Sequence, residues 1–143
     1  MLTLNVAEWH VLVVDDEPDN LLLLEMALSF EGAQVTCAPS GQVALELLSE
    51  QTFDVGLLDI RMPHMSGWDL IREIRAHANS EVNRMFLIAA TAHALEGDKD
   101  KVLTAGFNGY ISKPLEVTNL VQVIRDFAAR YIETYNSTYE DQS

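Results

Sequence analysis

The chain has 143 residues, 48% of them hydrophobic, and its 22 Asp and Glu against 9 Lys and Arg leave a formal net charge of −13. That length and apolar content predict one folded domain and exclude a disordered chain, while the negative field works against phosphate backbones and anionic membranes, so neither nucleic acid nor membrane is an expected partner. One cysteine, Cys37, excludes an internal disulfide and a cysteine-based metal site; with no spanning apolar run and no leader pattern, the expected location is cytoplasmic.

Residues 9–14 (WHVLVV) are short, apolar and β-branched, and predict a buried strand. A helix follows over residues 18–30, with Asp16 or Glu17 ahead of a first-turn proline, Pro18, and Gly32 to close it. Residues 34–38 predict a second strand. Ser40 is a natural N-cap for a helix over 41–50, with Val43, Ala44, Leu47 and Leu48 on its apolar side. A third strand is expected over 53–58, a third helix over 66–77 and a fourth strand over 85–90. A fourth helix over 95–105 stops at Gly106, a short fifth strand covers 110–112, and the last helix runs from 117 to about 131.

Strict alternation of five strands with five helices predicts an α/β fold: a flavodoxin-like, doubly wound, five-stranded parallel sheet of order 2-1-3-4-5. Ligands of such sheets bind at the carboxyl ends of the strands. Those ends are chemically rich here. Asp15, Asp16 and Glu17 follow the first strand, Asp59 the third, Thr91 and the small Ala92 the fourth, and Lys113 and Pro114 the fifth. A single acid at a helix start has an ordinary explanation in capping, but four filled strand ends do not.

Three gathered carboxylates repel one another and recruit a hard divalent cation, Mg²⁺ or Mn²⁺. A mononucleotide binder would carry phosphate-cradling Ser, Thr or Gly in the first loop, whereas Asp-Asp-Glu rejects a bare phosphate. Phosphate is therefore expected only with the metal, as a phosphoryl group in transfer, with one carboxylate as nucleophile. Asp59, ending the interior run VGLLD, is the best candidate. Lys113 can pair with the phosphoryl oxygens, and Thr91 can donate its hydroxyl.

The motifs VLVVDDEPDN, LLDIRMPHMSGWDL, AATA and GYISKPL make the sequence similar to the receiver domain of two-component response regulators, over about residues 9–129. The resemblance implies that Asp59 accepts the phosphoryl group, that Asp16 binds the metal directly and Asp15 through water, and that Arg61 offers a backbone carbonyl to it. It makes Thr91 the switch hydroxyl, Lys113 the phosphate-binding lysine, the Ala92 amide a further phosphate donor, and Tyr110 the switch aromatic. It also implies a cis bond between Lys113 and Pro114. The implied donor is a sensor histidine kinase or a histidine phosphotransfer protein. The implied output is a protein partner reading the fourth helix, fifth strand and fifth helix. No independent enzyme is expected, only phosphoryl acceptance and slow self-hydrolysis.

The expected organisation is an N-terminal arm (1–8), a receiver domain (9–131) and a C-terminal extension (132–143), with no room for a DNA-binding output domain. The same motifs serve stand-alone regulators, phosphorelay intermediates and the receiver modules of hybrid kinases. A haloacid-type phosphatase shares the chemistry but wants an acid two residues past its nucleophile, where Arg61 stands. Gly56, inside the third strand, is read as a close approach by a helix. Arg61 and His93 occupy positions that tune phosphate lifetime in this family. The first helix has more leucines than one face can bury, so part of its apolar surface should be exposed toward a donor. Tyr131, Tyr135 and Tyr139 continue the spacing of the last helix as a possible stripe for a partner, and the chain is expected to be a monomer or weak homodimer.

Overall fold

Along each central strand, successive apolar residues face opposite sides, as the two-residue period of a strand requires. In the computed structural model, which describes residues 2–92, 97 and 99–140 and side chains through residue 135, this alternation builds two cores. Leu12, Val14, Leu58, Leu87 and Ala89 face one side; Val11, Val13, Val55, Leu57 and Ile88 face the other. The elements are β1 (His10–Val14), α1 (Pro18–Phe30), β2 (Gln34–Ala38), α2 (Gly41–Glu50), β3 (Val55–Asp59), α3 (Gly67–Arg75), α4 (Ser80–Asn83), β4 (Phe86–Thr91), α5 (Lys99–Ala105), β5 (Gly109–Ser112) and α6 (Val117–Glu140). The five strands pair in parallel in the order β2-β1-β3-β4-β5. α1 and α6 cover one face through Leu24, Leu28, Leu120 and Ile124. α2, α3 and α5 cover the other through Leu48, Leu70, Ile71, Ile74 and Val102.

Local chemistry sets the helix starts. Pro18 opens α1 with Glu17 as N-cap, Ser40 accepts from the Val43 amide to start α2, and Ser66 with Asp69 forms a reciprocal capping box at α3.

Several expectations need correcting. There are six described helices rather than five, because the SEVN segment makes a one-turn helix, α4, capped by Asn79; four residues carry no periodic signal. β3 begins at Val55 rather than 53, since the Asp54 amide and carboxylate both bond to the His10 backbone, at 2.9 and 2.8 Å, and close a turn there. β4 is displaced by one residue and contains Thr91. α6 continues beyond Tyr131 to Glu140. Tyr131 is held there by a hydrogen bond to the Arg84 carbonyl at 2.9 Å and by its neighbours Phe86 and Tyr135. Gly56 answers no helix: a Cβ there would meet Leu87 Cδ2 at 2.5 Å and Met85 Cε at 3.1 Å, side chains of the neighbouring β4 and the residue before it. The start of the fourth predicted helix at residue 95 and His93 lie outside the described residues, as does the Tyr139 side chain. Leu22, Met26 and Phe30 on α1 are exposed, Phe30 by 89%. No described helix is long and apolar enough to cross a membrane.

Candidate functional site

β1 and β3 lie side by side at the centre of the sheet, with Val14 opposite Leu58. The chain positions just beyond therefore bring Asp15 and Asp59 together at the carboxyl edge, where the strand order reverses. Carboxylate oxygens of Asp15, Asp16 and Asp59 all lie within 4.8 Å of one another. Asp15 and Asp59 are buried, and Asp16 is exposed. Lys113, arriving from the end of β5, places Nζ 2.9 Å from Asp59 Oδ1 and 3.2 Å from Asp15 Oδ2. Thr91, buried at the end of β4, accepts the Lys113 amide on its carbonyl at 2.9 Å, which ties the two strand ends together. The Lys113–Pro114 peptide bond is cis.

The acids are held by backbone. Asp15 Oδ1 accepts the Glu17 amide at 2.9 Å, a local turn of the kind aspartates favour. Asp59 Oδ1 accepts the Arg61 amide at 3.3 Å. The Arg61 side chain is exposed and lines a cleft of about 640 Å³ beside the crater with Met62, Ser66, Trp68 and Lys101. Ala92 is exposed at the turn after β4.

Two glycines shape the rim. A Cβ on Gly67 would lie 2.5 Å from the Asp59 carbonyl oxygen and 2.8 Å from Ile60 Cα, so only glycine lets α3 begin against the Asp59 backbone. Its amide donates to the Ile60 carbonyl at 2.9 Å. Between them the chain turns tightly at His64, whose φ is 67°, with the Met65 amide donating to the Pro63 carbonyl at 2.7 Å. Met65 then packs on Gly41, at the start of α2, where a Cβ would stand 2.5 Å from its sulfur. Sequence reasoning missed Gly67; the available signal was a glycine directly after a strong N-cap, where helix propensity disfavours it.

The electrostatics follow from burial and crowding. Burial pushes the Asp59 carboxyl above the ordinary carboxylate range; the Lys113 hydrogen bond opposes this, and the negative charge of Asp15 adds to it. Burial works to lower Lys113. The hydrogen bond to Asp59 and the charges of Asp15 and Asp59 outweigh that, and its ammonium is held above the ordinary lysine value. A buried carboxylate pair with an exposed third acid is a hard-oxygen donor set suited to a small divalent cation that keeps some water ligands.

Tyr110 is half-buried in β5. Its ring packs on Phe127 of α6 at 5.3 Å, and Lys99 of α5 stands over it at 5.6 Å. Arg130 in turn stands over Phe127 at 5.5 Å. Phe127 sits against Gly109, where no Cβ could be accommodated.

The family model of the response regulator receiver domain matches residues 11–125. An uncharacterized 14.6 kDa protein of Leptolyngbya boryana is 36% identical over 126 residues, which cover 88% of this chain and 95% of that protein. The sensor protein GacS of Pseudomonas syringae pv. syringae is 36% identical over 116 residues, 80% of this chain but 13% of that much longer protein. The receiver domain of sensor histidine kinase PA1611 from Pseudomonas aeruginosa PAO1, solved with a magnesium ion coordinated in its active-site cleft, superposes with a TM-score of 0.73 at 34% identity, covering 83% of this chain and 96% of that one.

Proposed function

Since this chain belongs to the response regulator receiver domain family of two-component signalling, we propose that it accepts a phosphoryl group on Asp59 from a phosphohistidine donor and relays the change to a protein partner. The observation that carries this reading is the buried Asp59 carboxylate, set within 4.8 Å of two further acids and 2.9 Å from Lys113 at the sheet's switch point.

Asp15, Asp16 and Asp59, with the Arg61 carbonyl, would hold Mg²⁺ or Mn²⁺, whose charge when bound offsets the repulsion between acids and phosphoryl oxygens. Asp59 then supplies the attacking oxygen. One O–P bond forms as the donor's P–N bond breaks, and the released imidazole keeps the electron pair and takes a proton. Lys113 moves its two hydrogen bonds from carboxylates to the developing phosphoryl charge. The Thr91 hydroxyl and the Ala92 amide complete the cradle. The chain is read as a phosphoryl acceptor with slow self-hydrolysis rather than as an independent hydrolase.

α1 begins at the crater and exposes Leu22, Met26 and Phe30, a surface suited to a donor helix pair on a sensor kinase or phosphotransfer protein. Output is read on α5, β5 and α6, where the Lys99, Tyr110, Phe127 and Arg130 stack lies. The match to a small part of GacS favours a second setting, in which the same module serves a hybrid kinase or passes phosphate onward. Either setting places it in the cytoplasm.

Incubation with acetyl phosphate and Mg²⁺ tests the reading. The unaltered chain should gain one phosphoryl group by intact mass and Asp59→Asn none. Lys113→Ala should fold normally and separate labelling from any partner response. Labelling that survives Asp59→Asn overturns the assignment.

A further inference from the structure

At the end of α3 away from the crater, the Arg75 guanidinium is half-buried and meets no carboxylate among the described residues. Its five N–H groups are all used, on four uncharged oxygens. Nε and Nη2 donate to the Gly106 carbonyl at 3.1 and 2.7 Å. Nη1 donates to the Asn83 and Met85 carbonyls at 3.0 and 2.7 Å. Nη2 also reaches Asn108 Oδ1 at 3.1 Å.

These acceptors are not arbitrary. Asn83 ends α4, Gly106 directly follows α5, and Arg75 itself ends α3. The ends of α4 and α5 therefore converge on one cation, and the backbone carbonyls there supply the negative potential that a carboxylate would otherwise provide. Asn108 extends the grip into the sheet: its Oδ1 accepts the Leu87 amide at 2.9 Å, and its backbone N–H donates to the Leu87 carbonyl at 2.7 Å. Gly106 has φ 113°, and a Cβ there would sit 3.4 Å from Arg75 Cγ and Nε, so the turn after α5 is shaped to receive this side chain.

The other end of α3 is Gly67, seated against the Asp59 backbone. α3 is thus a strut about 13 Å long, with the acceptor at one end and the turn after α5 at the other. A charged fork locked by five hydrogen bonds is a stiff joint.

We propose that Arg75 is a positioning residue for the switch: it fixes the C-terminal end of α5 to the helix that abuts the acceptor, so that a change at Asp59 is expressed as reorientation of α5 and Tyr110 about Gly106. This rests on the receiver reading for its trigger, but the clasp itself is independent of phosphate.

Hydrogen exchange of the full chain tests it, with Arg75→Gln, Arg75→Lys and Asn108→Ala each confirmed as folded by circular dichroism. Without phosphate, amides in residues 99–111 should exchange about tenfold faster in Arg75→Gln, and less so in Arg75→Lys, while β1 and β3 stay protected. Labelling by acetyl phosphate should stay within about twofold of the unaltered chain, since no reacting group is touched. The change in exchange at 99–111 on adding beryllofluoride and Mg²⁺ should shrink in all three variants. Unchanged exchange at 99–111 overturns the clasp, and so does a uniform loss of protection across all strands, which would mark a general stabiliser. If the unaltered chain neither labels nor responds to beryllofluoride, the acceptor reading fails instead, and exchange without phosphate still decides the clasp.

Discussion

Lys113 Nζ sits closer to Asp59 Oδ1, at 2.9 Å, than to Asp15 Oδ2, at 3.2 Å, so one ammonium serves two buried carboxylates. The crater is under-neutralised by its own residues, since Asp16 adds a third negative charge within the same 4.8 Å. Function here asks for charges that folding alone would not choose.

The first consequence is a stability gain on neutralising Asp59. Asp59 has its carboxyl raised by burial, with the Lys113 hydrogen bond opposing and Asp15 adding to the rise. The native state therefore binds this proton more tightly than the unfolded chain does. Its contribution to stability is full below the unfolded value of 3.8 and is lost as pH rises through the raised native value. At pH 7 the ionised group is a cost. Asp59→Asn should raise stability by about 0.5–2 kcal/mol in chelator, a few degrees in Tm. A fall in Tm in EDTA at pH 7 would contradict this account.

Metal binding should be separable from folding at Asp16. This side chain is exposed, so Asp16→Asn should change chelator-treated stability by less than about 0.5 kcal/mol. The unaltered chain should gain about 2.7 kcal/mol when free Mg²⁺ reaches a hundred times its Kd. Thermal melts across a Mg²⁺ titration should show that gain shrink sharply in Asp16→Asn. An undiminished gain would remove Asp16 from the ligand set.

Gly67 and Gly41 offer a paired comparison. A methyl on Gly67 meets the Asp59 carbonyl and Ile60 Cα, which are backbone, whereas one on Gly41 meets the flexible end of Met65. Gly67→Ala should cost about 1–3 kcal/mol and weaken the Mg²⁺ response, because the Asp59 backbone must move. Gly41→Ala should cost less, as methionine repacks readily. Urea titrations of both variants check the ranking, and equal costs would refute it.

Cys37 should be chemically quiet. Burial, then the charge and hydrogen bond of Glu25, whose Oε2 lies 3.7 Å from Sγ, push its thiol from 9.0 up to about 11. At pH 8 the thiolate is about a hundredfold scarcer than in the unfolded chain. Disulfide-exchange reagents should react correspondingly slowly with native protein and rapidly in denaturant. Equal rates would show that the thiol is free.

What the sequence made legible follows from where the signals are local. α1, α2 and β2 have the bounds expected from Pro18, Ser40 and the flanking glycine and proline, because caps and turns act within a few residues. The rim was legible for a similar reason: strand ends can be counted along the chain, and Asp15, Asp59, Thr91 and Lys113 fall on them. What stayed hidden depends on distant partners. Gly56 is explained by Leu87 and Gly67 by the Asp59 backbone. Arg75 carries no signal of its own in the sequence, and only the fold shows it gripping residues 83, 85, 106 and 108.

The base of the sheet also settles a practical matter. Leu2 shares a cavity of about 230 Å³ with Arg84, Tyr131, Ile132 and Tyr135, so this cavity lies at the pole opposite Asp59. A fluorophore or surface tether attached beside this cavity would leave the Asp59 pole unobstructed.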